Sequence, residues 1–270
     1  MGKKRRQFGL RYGSEAIAAS TELERFPNTG LFLEGRLRHD LSQEEKVELE
    51  SLVSRVEILP DGHRLISRGD ICDHSTMLID GFMLRTLDSG DRRYGVSFHV
   101  PGDFVDLHCF ALKRLDHNIE CVGQAKVGLV PHERIAEVMK EKPHLARLFW
   151  FSTLLDAAMH REWIMKLEQL KVPQRIAHIF AEVWCRLDMV GLAFEDGFDT
   201  PLTQADLADM CGATPIHVNR AIGELRKSGI ADFNRGEVRI CNREKLESFA
   251  DFEKDYLYGD GALSLRQDGL

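Results

Sequence analysis

The hydrophobic rhythm of the chain changes twice. Behind Ser42, with Glu45 three residues on, Leu49, Leu52 and Val53 supply an apolar face; serine at the cap and glutamate at the third helical position form a capping-box pattern, so a helix is predicted to begin there. From 55 to 130 the pattern shortens to β-type runs: VEIL, HRLIS, TMLIDGFMLRTL, RRYGVSFHV, FVDLH, IECVG and KVGLV. Gly62, Gly69, Gly81, Gly90 and Gly102 punctuate them at intervals of 7, 12, 9 and 12, the turn signals of a β-sandwich or barrel-like roll. Helical periodicity then returns. Pro131 opens a short helix and Pro143 a long one reaching about Leu170. After Pro173, the residues Ile176, Ala177, Phe180, Val183, Trp184 and Leu187 form one stripe.

The run ADLADMCGATPIHVNRAI (205–222) carries two short helical patterns separated by Cys-Gly-Ala. Gly212 suits the left-handed conformation that stops a helix, Thr214 is a good N-cap, and Pro215 fits the first helical position. Val218, Ala221, Ile222 and Leu225 make a core-facing stripe at spacings of 3, 1 and 3. Two helices crossing over so short a turn, with small Ala208 between them, are a helix-turn-helix. GIADFNRGEVRI reads as a following hairpin turning near Asn234–Gly236, which makes the motif winged.

The long helix is apolar on more than one face. Leu148, Ser152, Leu155, Met159, Glu162 and Lys166 keep a 4-3-4-3-4 seam that turns polar at its end, read as the contact with a second copy of the chain, while Phe149, Leu154, Ala158 and Trp163 are assigned to packing on the chain's own β domain. The resulting division is an extension at 1–38, flexible and carrying KKRR at 3–6 with a weak helical pattern at 14–24. A β-roll follows at 39–142, a dimerisation helix at 143–170, a winged helix-turn-helix at 171–250 and a tail at 251–270.

Composition and charge narrow the function. With 43% hydrophobic and 29% charged residues and no window of the roughly 20 apolar residues a membrane span needs, a cytoplasmic globular protein without a membrane partner is expected. The net charge of −7 argues against coating nucleic acid with the whole surface. Residues 201–245, with seven Lys/Arg against six Asp/Glu, are more basic than the rest of the chain. The six cysteines show no CxxC spacing and read as reduced thiols.

In its order of elements the chain resembles the Crp/Fnr superfamily of bacterial transcription regulators over residues 40–250. LTQADLADMCGATPIHVNRAIGELRKSGI and the glycine framework DG (61–62), RGD (68–70), DG (80–81) and PGDF (101–104) carry the resemblance. It implies an α+β chain: an N-terminal double-stranded β-helix (β-roll or jelly roll), a long dimerisation helix and a C-terminal winged helix-turn-helix. It implies a homodimeric regulator, not an enzyme, binding an inverted repeat in double-stranded DNA, with RNA polymerase as a further partner. Arg220 matches the arginine that reads guanine, and Thr214 would hold a phosphate. Ile216, Gly223 and Lys227 face outward with Arg220, flanked by His217 and Glu224, and Asn219 is a further candidate contact. Pro215 and Ile216 stand where the cyclic-AMP receptor protein carries Arg and Glu, so its operator is not carried over. Thr203, and Arg235 and Arg239 of the wing, complete the expected DNA-contacting set.

The family's cyclic-nucleotide cassette corresponds to GDFVDLHCFALKRLDHNIECV. Asp106-Leu107 stands for its Gly-Glu pair and His117-Asn118 for its Arg-Ser pair, so the phosphate-binding arginine is missing and cyclic AMP is not expected. Phe104, Asp106, Leu107, His108, His117 and Asn118 are the candidate effector-pocket residues, the effector itself being unassigned. No cysteine precedes Cys72, which argues against an N-terminal iron–sulfur cluster. His99, Asp106, His108, Cys109, His117 and Cys121 leave a metal- or redox-sensing regulator as the alternative, and a cupin-like metal enzyme as a remoter one. No cofactor, metal ligand set or catalytic residue is assigned.

Overall fold

The computed structural model describes residues 22–259 and Ala262. Its first half is an antiparallel roll built on two long strands, β3 (His74–Ser89) and β5 (Asn118–Pro131). Around them β1 (Arg55–Leu59) and β4 (Arg92–His99) complete the order β1-β5-β3-β4, with β2 (Arg64–Ile66) also on β5. The register of β3 on β5 shifts on either side of Asp80, so TMLIDGFMLRTL bends rather than ends there. Gly81 takes a φ of 86° at the bend, and a Cβ on it would lie 2.4 Å from the Gln124 carbonyl oxygen, which explains the glycine. IECVG and KVGLV likewise join into the single strand β5. FVDLH, by contrast, is no strand beyond a Met77–Phe104 bridge. The Asp106 carboxylate accepts from the Thr76 N–H (2.5 Å) and hydroxyl (3.0 Å), and the chain turns at once into the short helix α2 (Cys109–Leu112).

Helix α1 (Gln43–Ser51) precedes the roll with both capping-box bonds formed between Ser42 and Glu45. Behind the roll run α3 (His132–Glu141), the 27-residue α4 (Pro143–Gln169) and α5 (Val172–Met189). A three-stranded sheet follows, β6 (Gly197–Asp199), β8 (Glu237–Ile240) and β7 (Ala231–Asn234) in spatial order, together with α6 (Gln204–Cys211), α7 (Pro215–Lys227) and α8 (Arg243–Ala250).

The structure corrects the sequence reading in three places. First, residues 1–21, KKRR included, lie outside the described residues, but 22–38 are no free extension. Phe26, Leu31, Phe32, Leu33 and Leu37 are buried, with the Phe32 ring edge-on to Phe104 and Phe149 at 5.4 and 6.1 Å. Glu50 fastens the segment by accepting from the backbone N–H groups of Asn28 and Thr29 and from both their side chains. Too much apolar surface is at stake for this strap to stay in water. Second, the tail is anchored through 259: Leu257 is buried, its carbonyl accepts from Arg36 Nε (2.8 Å), and the Tyr256 hydroxyl donates to Glu182 (2.8 Å).

Third, the seam expected to meet a second copy lies inside the chain, whereas Phe149, Ala158 and Trp163 are buried as expected and Leu154 is not. Leu148, Leu155 and Met159 of the expected dimer seam are buried in the chain's own core, and Ser152 and Glu162 are half-buried beside them. Leu148 packs with the strap and Phe104, whereas Leu155 and Met159 join Phe82, Phe98 and α5. Leu154, expected against the roll, is 53% exposed, with Trp150 and Ile164 at 64% each. These three fall on another heptad line, Arg147, Trp150, Leu154, Ala157, Arg161, Ile164 and Glu168, spaced 3-4-3-4-3-4.

Candidate nucleic-acid interface and sensor pocket

Each end of the helix-turn-helix is set by a local bond. The Thr203 hydroxyl accepts from Asp206 N (3.2 Å) and donates to Asp206 Oδ2 (2.6 Å), starting α6; it therefore serves the fold rather than facing outward as a free phosphate ligand. Gly212 stops α6 at a φ of 61°, and Thr214 caps α7 by accepting from His217 N (3.4 Å), with Pro215 in the first turn. Val218, Ala221, Ile222 and Leu225 are buried, so the opposite face is exposed: Thr214, Pro215, Ile216, His217, Asn219 and Arg220 crowd the first turns of α7, and Lys227 lies at its end. Asn219 Nδ2 donates to Gln204 (3.3 Å), while Arg220 has no ion-pair partner among the described residues. The wing turns at Arg235–Gly236, both at positive φ, the mark of a two-residue hairpin turn. Arg235 sits at this tip; Arg239 is exposed on β8 and pairs with Glu237 (3.2 Å).

Arginines that the sequence reading passed over position this unit against the roll. Arg93 of β4 spans Glu120 (2.9 Å), Asp206 (2.8 Å) and Asp209 (2.8 Å), joining β5 to α6. Arg186 of α5, fully buried, pairs with Asp103 and Glu182 and donates to the Phe98 carbonyl (2.7 Å). Arg175 staples the α4–α5 joint to α6 through the carbonyls of Leu167 (2.8 Å), Leu170 (2.8 Å) and Cys211 (2.7 Å). Arg186 was legible as a lone cation inside the apolar stripe of α5; Arg93 left no comparable signal.

Within the roll the six pocket candidates do not line one open site. Phe104 and Leu107 are core residues beside α4, and Asp106 is fully buried on Thr76, burial lifting its carboxyl to about 6. Asn118 is committed to the Arg68 N–H (2.8 Å) and Asp88 (3.1 Å). His108 and His117 do meet, ring centroids 5.4 Å apart, and burial holds His108 down at about 3. The space toward α4 is taken by Arg85, whose guanidinium reaches Asp156 (2.6 Å) and the Val105 carbonyl. Its signal was a charge inside the apolar run FMLRTL. A cavity of about 20 Å³ lies beneath the strap, lined by Leu31, Arg36, His99, Asp103, Asp156 and Arg186 among others, and a wider cleft of about 660 Å³ opens elsewhere on the roll between Cys72, His74, Lys113 and His132. Among the described residues no group of three or more His, Cys, Asp or Glu is placed to hold a metal ion. Nor is any described helix long and apolar enough to cross a membrane.

Comparison with known proteins agrees with this geometry. Residues 174–249 match the Crp-like helix-turn-helix domain. The transcriptional activator protein FnrL of Cereibacter sphaeroides is 27% identical over 176 residues, 63% of this chain and 69% of that protein. A probable transcriptional activator of Rhizobium leguminosarum bv. viciae is 25% identical over 129 residues, 47% of this chain and 53% of that one. Among solved structures, FixK2 from Bradyrhizobium japonicum superposes with a TM-score of 0.66 at 20% identity, covering 72% of this chain and 96% of its own. The CRP/FNR-family regulator TTHA1359 of Thermus thermophilus gives 0.57 at 17% identity, over 73% and 99%. The chain thus carries a Crp-like helix-turn-helix DNA-binding domain over residues 174–249, is similar in sequence to these transcriptional activators, and shares the fold of the CRP/FNR-family structures.

Proposed function

We propose that the chain works as a homodimer on an inverted-repeat operator, its two recognition helices entering successive major grooves about one helical turn apart. The observation that carries this is the uncovered heptad of α4: a strip of Trp150, Leu154 and Ile164 in water is costly unless a second α4 covers it, and the covering copy presents a second α7. Arg220 reads guanine by its paired N–H donors, Thr214 and the first N–H groups of α7 hold a phosphate, and Lys227 and Arg235 steady the flanking backbone. The protein acts in the cytoplasm, catalyses no reaction, and meets RNA polymerase at the promoter, as suits relatives described as transcriptional activators.

The roll acts as the allosteric body, without cyclic AMP. Asp106-Leu107 and His117-Asn118 offer no arginine for a cyclic phosphate, and the Arg85–Asp156 pair fills the space beside α4. Sedimentation of the purified protein tests the assembly, and selection of duplexes from a random pool tests the operator. The expected results are twice the chain mass and a palindromic consensus, with Arg220→Ala weakening specific binding by about 1–3 kcal/mol and relaxing one base position. A monomer, or a consensus without dyad symmetry, overturns the reading.

A further inference from the structure

Ile216 is 67% exposed, and among the described residues from 171 onward it is the one large hydrophobic side chain left in water. The rest of that unit buries its apolar groups thoroughly, with Val218, Ile222, Leu225, Phe233 and Leu246 all in its core. Ile216 belongs to none of the hydrophobic clusters of the described residues. It sits in the first turn of α7, after Pro215, on the face that also carries Arg220. The N-terminal residues of a recognition helix are those that reach base edges. On the major-groove floor the apolar feature that differs between base pairs is the 5-methyl group of thymine. From these observations we infer that Ile216 reads a thymine methyl, so that this chain selects a T·A pair by apolar contact beside the guanine read by Arg220.

Geometry fixes the spacing. Ile216 and Arg220 lie one turn apart, about 6 Å along the helix at 1.5 Å per residue, so the two bases are roughly two steps apart at 3.4 Å per step.

The inference rests on the DNA-binding reading, and its test separates the two. Full-length protein is titrated against the duplex recovered from a random pool and against copies in which each thymine in turn is replaced by deoxyuridine, which deletes only the methyl. One substitution, about two pairs from the guanine lost on Arg220→Ala, is expected to weaken binding about fourfold, the worth of one buried carbon group. Ile216→Ala, at an exposed helical position that tolerates alanine, is expected to weaken the parent duplex to a similar degree and to be indifferent to that same substitution. Wild-type protein that binds a selected duplex but responds to no thymine-to-uracil replacement overturns the thymine contact alone. An Ile216→Ala variant that keeps the full uracil penalty does the same. Failure of the pool to yield any enriched duplex overturns the DNA reading along with it.

Discussion

His99 is buried under the strap with Nδ1 3.3 Å from Asp103, and burial holds its ring at about 4 against an ordinary 6.5. His108 is held at about 3 for the same reason. Below pH 6.5 the unfolded chain takes up protons on both rings while the folded chain does not, so stability is lost as pH falls from about 6.5 toward 4. Asp106 works the other way. Its carboxyl stands at about 6 when folded against 3.8, so the folded state binds the extra proton as pH falls through 6 and gains from it. For Asp103, burial would raise the carboxyl but Arg186 and His99 hold it at about 2, so its own loss comes below this range. Burial also lowers His117, His132 and His178 and raises Glu34, Glu162 and Asp209. With the fully buried His99 and the deeply buried His108 set against Asp106, the melting temperature is expected to drop between pH 7.5 and 5. Calorimetry on the parent, on His99→Gln and His108→Gln, which flatten the drop, and on Asp106→Asn, which steepens it, checks the assignment. A melting temperature indifferent to pH over that range rules it out.

Helix α4 shows the same logic at the scale of an element, because its two faces have different neighbours and therefore different mutational signatures. Leu148→Ala removes a buried side chain packed with Phe149 and the strap, and is expected to cost about 2–5 kcal/mol of folding stability while leaving the association state of the folded protein unchanged. Leu154→Ala and Ile164→Ala are expected to barely move the stability of the isolated chain yet to raise the dissociation constant of the dimer. Denaturation at several protein concentrations, beside sedimentation, separates the two effects, and dissociation on Leu148→Ala with none on Leu154→Ala would return the seam to the buried face. The sequence could not decide this. Both faces carry an apolar 3-4 pattern, and which one meets the roll depends on the strap, whose Phe32 and Leu33 take up part of the surface beside Leu148. Elements whose ends are written locally were legible: the Ser42–Glu45 box, the Gly212 stop, and the Thr214-Pro215 start that exposes Arg220. The strap was not, since its apolar residues follow neither a helical nor a strand period. The pocket candidates also failed to converge, because partners distant in sequence claim them: Thr76 takes Asp106, the Arg68 N–H and Asp88 take Asn118, and the core beside α4 takes Phe104 and Leu107.

Across the whole molecule one hydrophobic core runs without a break from Leu31 and Phe98 in the strap and roll, through Leu155 and Met159 of α4 and the length of α5, to Val218 and Val238 in the DNA-binding unit. Over this apolar continuity lie the charged clamps. Arg93 ties α6 to two strands of the roll, and Gly95 lies so close to Met210 that a Cβ there would come within 2.8 Å of its side chain. The strap adds a third tie, reaching from Gly102 of the roll, where Leu31 crosses, to Leu257 of the tail through Arg36. The position of α7 is therefore set by the roll and not by the α4–α5 joint alone, and the parent protein should unfold in one cooperative transition despite its two-part architecture. Arg93→Ala deletes three ion pairs in one step and leaves Asp206 with its capping bonds to Thr203, so α6 itself should remain folded. The expected outcome is separation: a lower, earlier transition for the DNA-binding unit, and faster amide exchange in α6, α7 and α8 with the roll unchanged. Arg92→Ala on the neighbouring position, whose side chain stacks on Tyr94 instead of reaching α6, serves as the control. If Arg93→Ala still melts as one unit with exchange unaltered in α6–α8, the apolar core alone carries the coupling, and the route from roll to recognition helix runs through α5 rather than through the clamp.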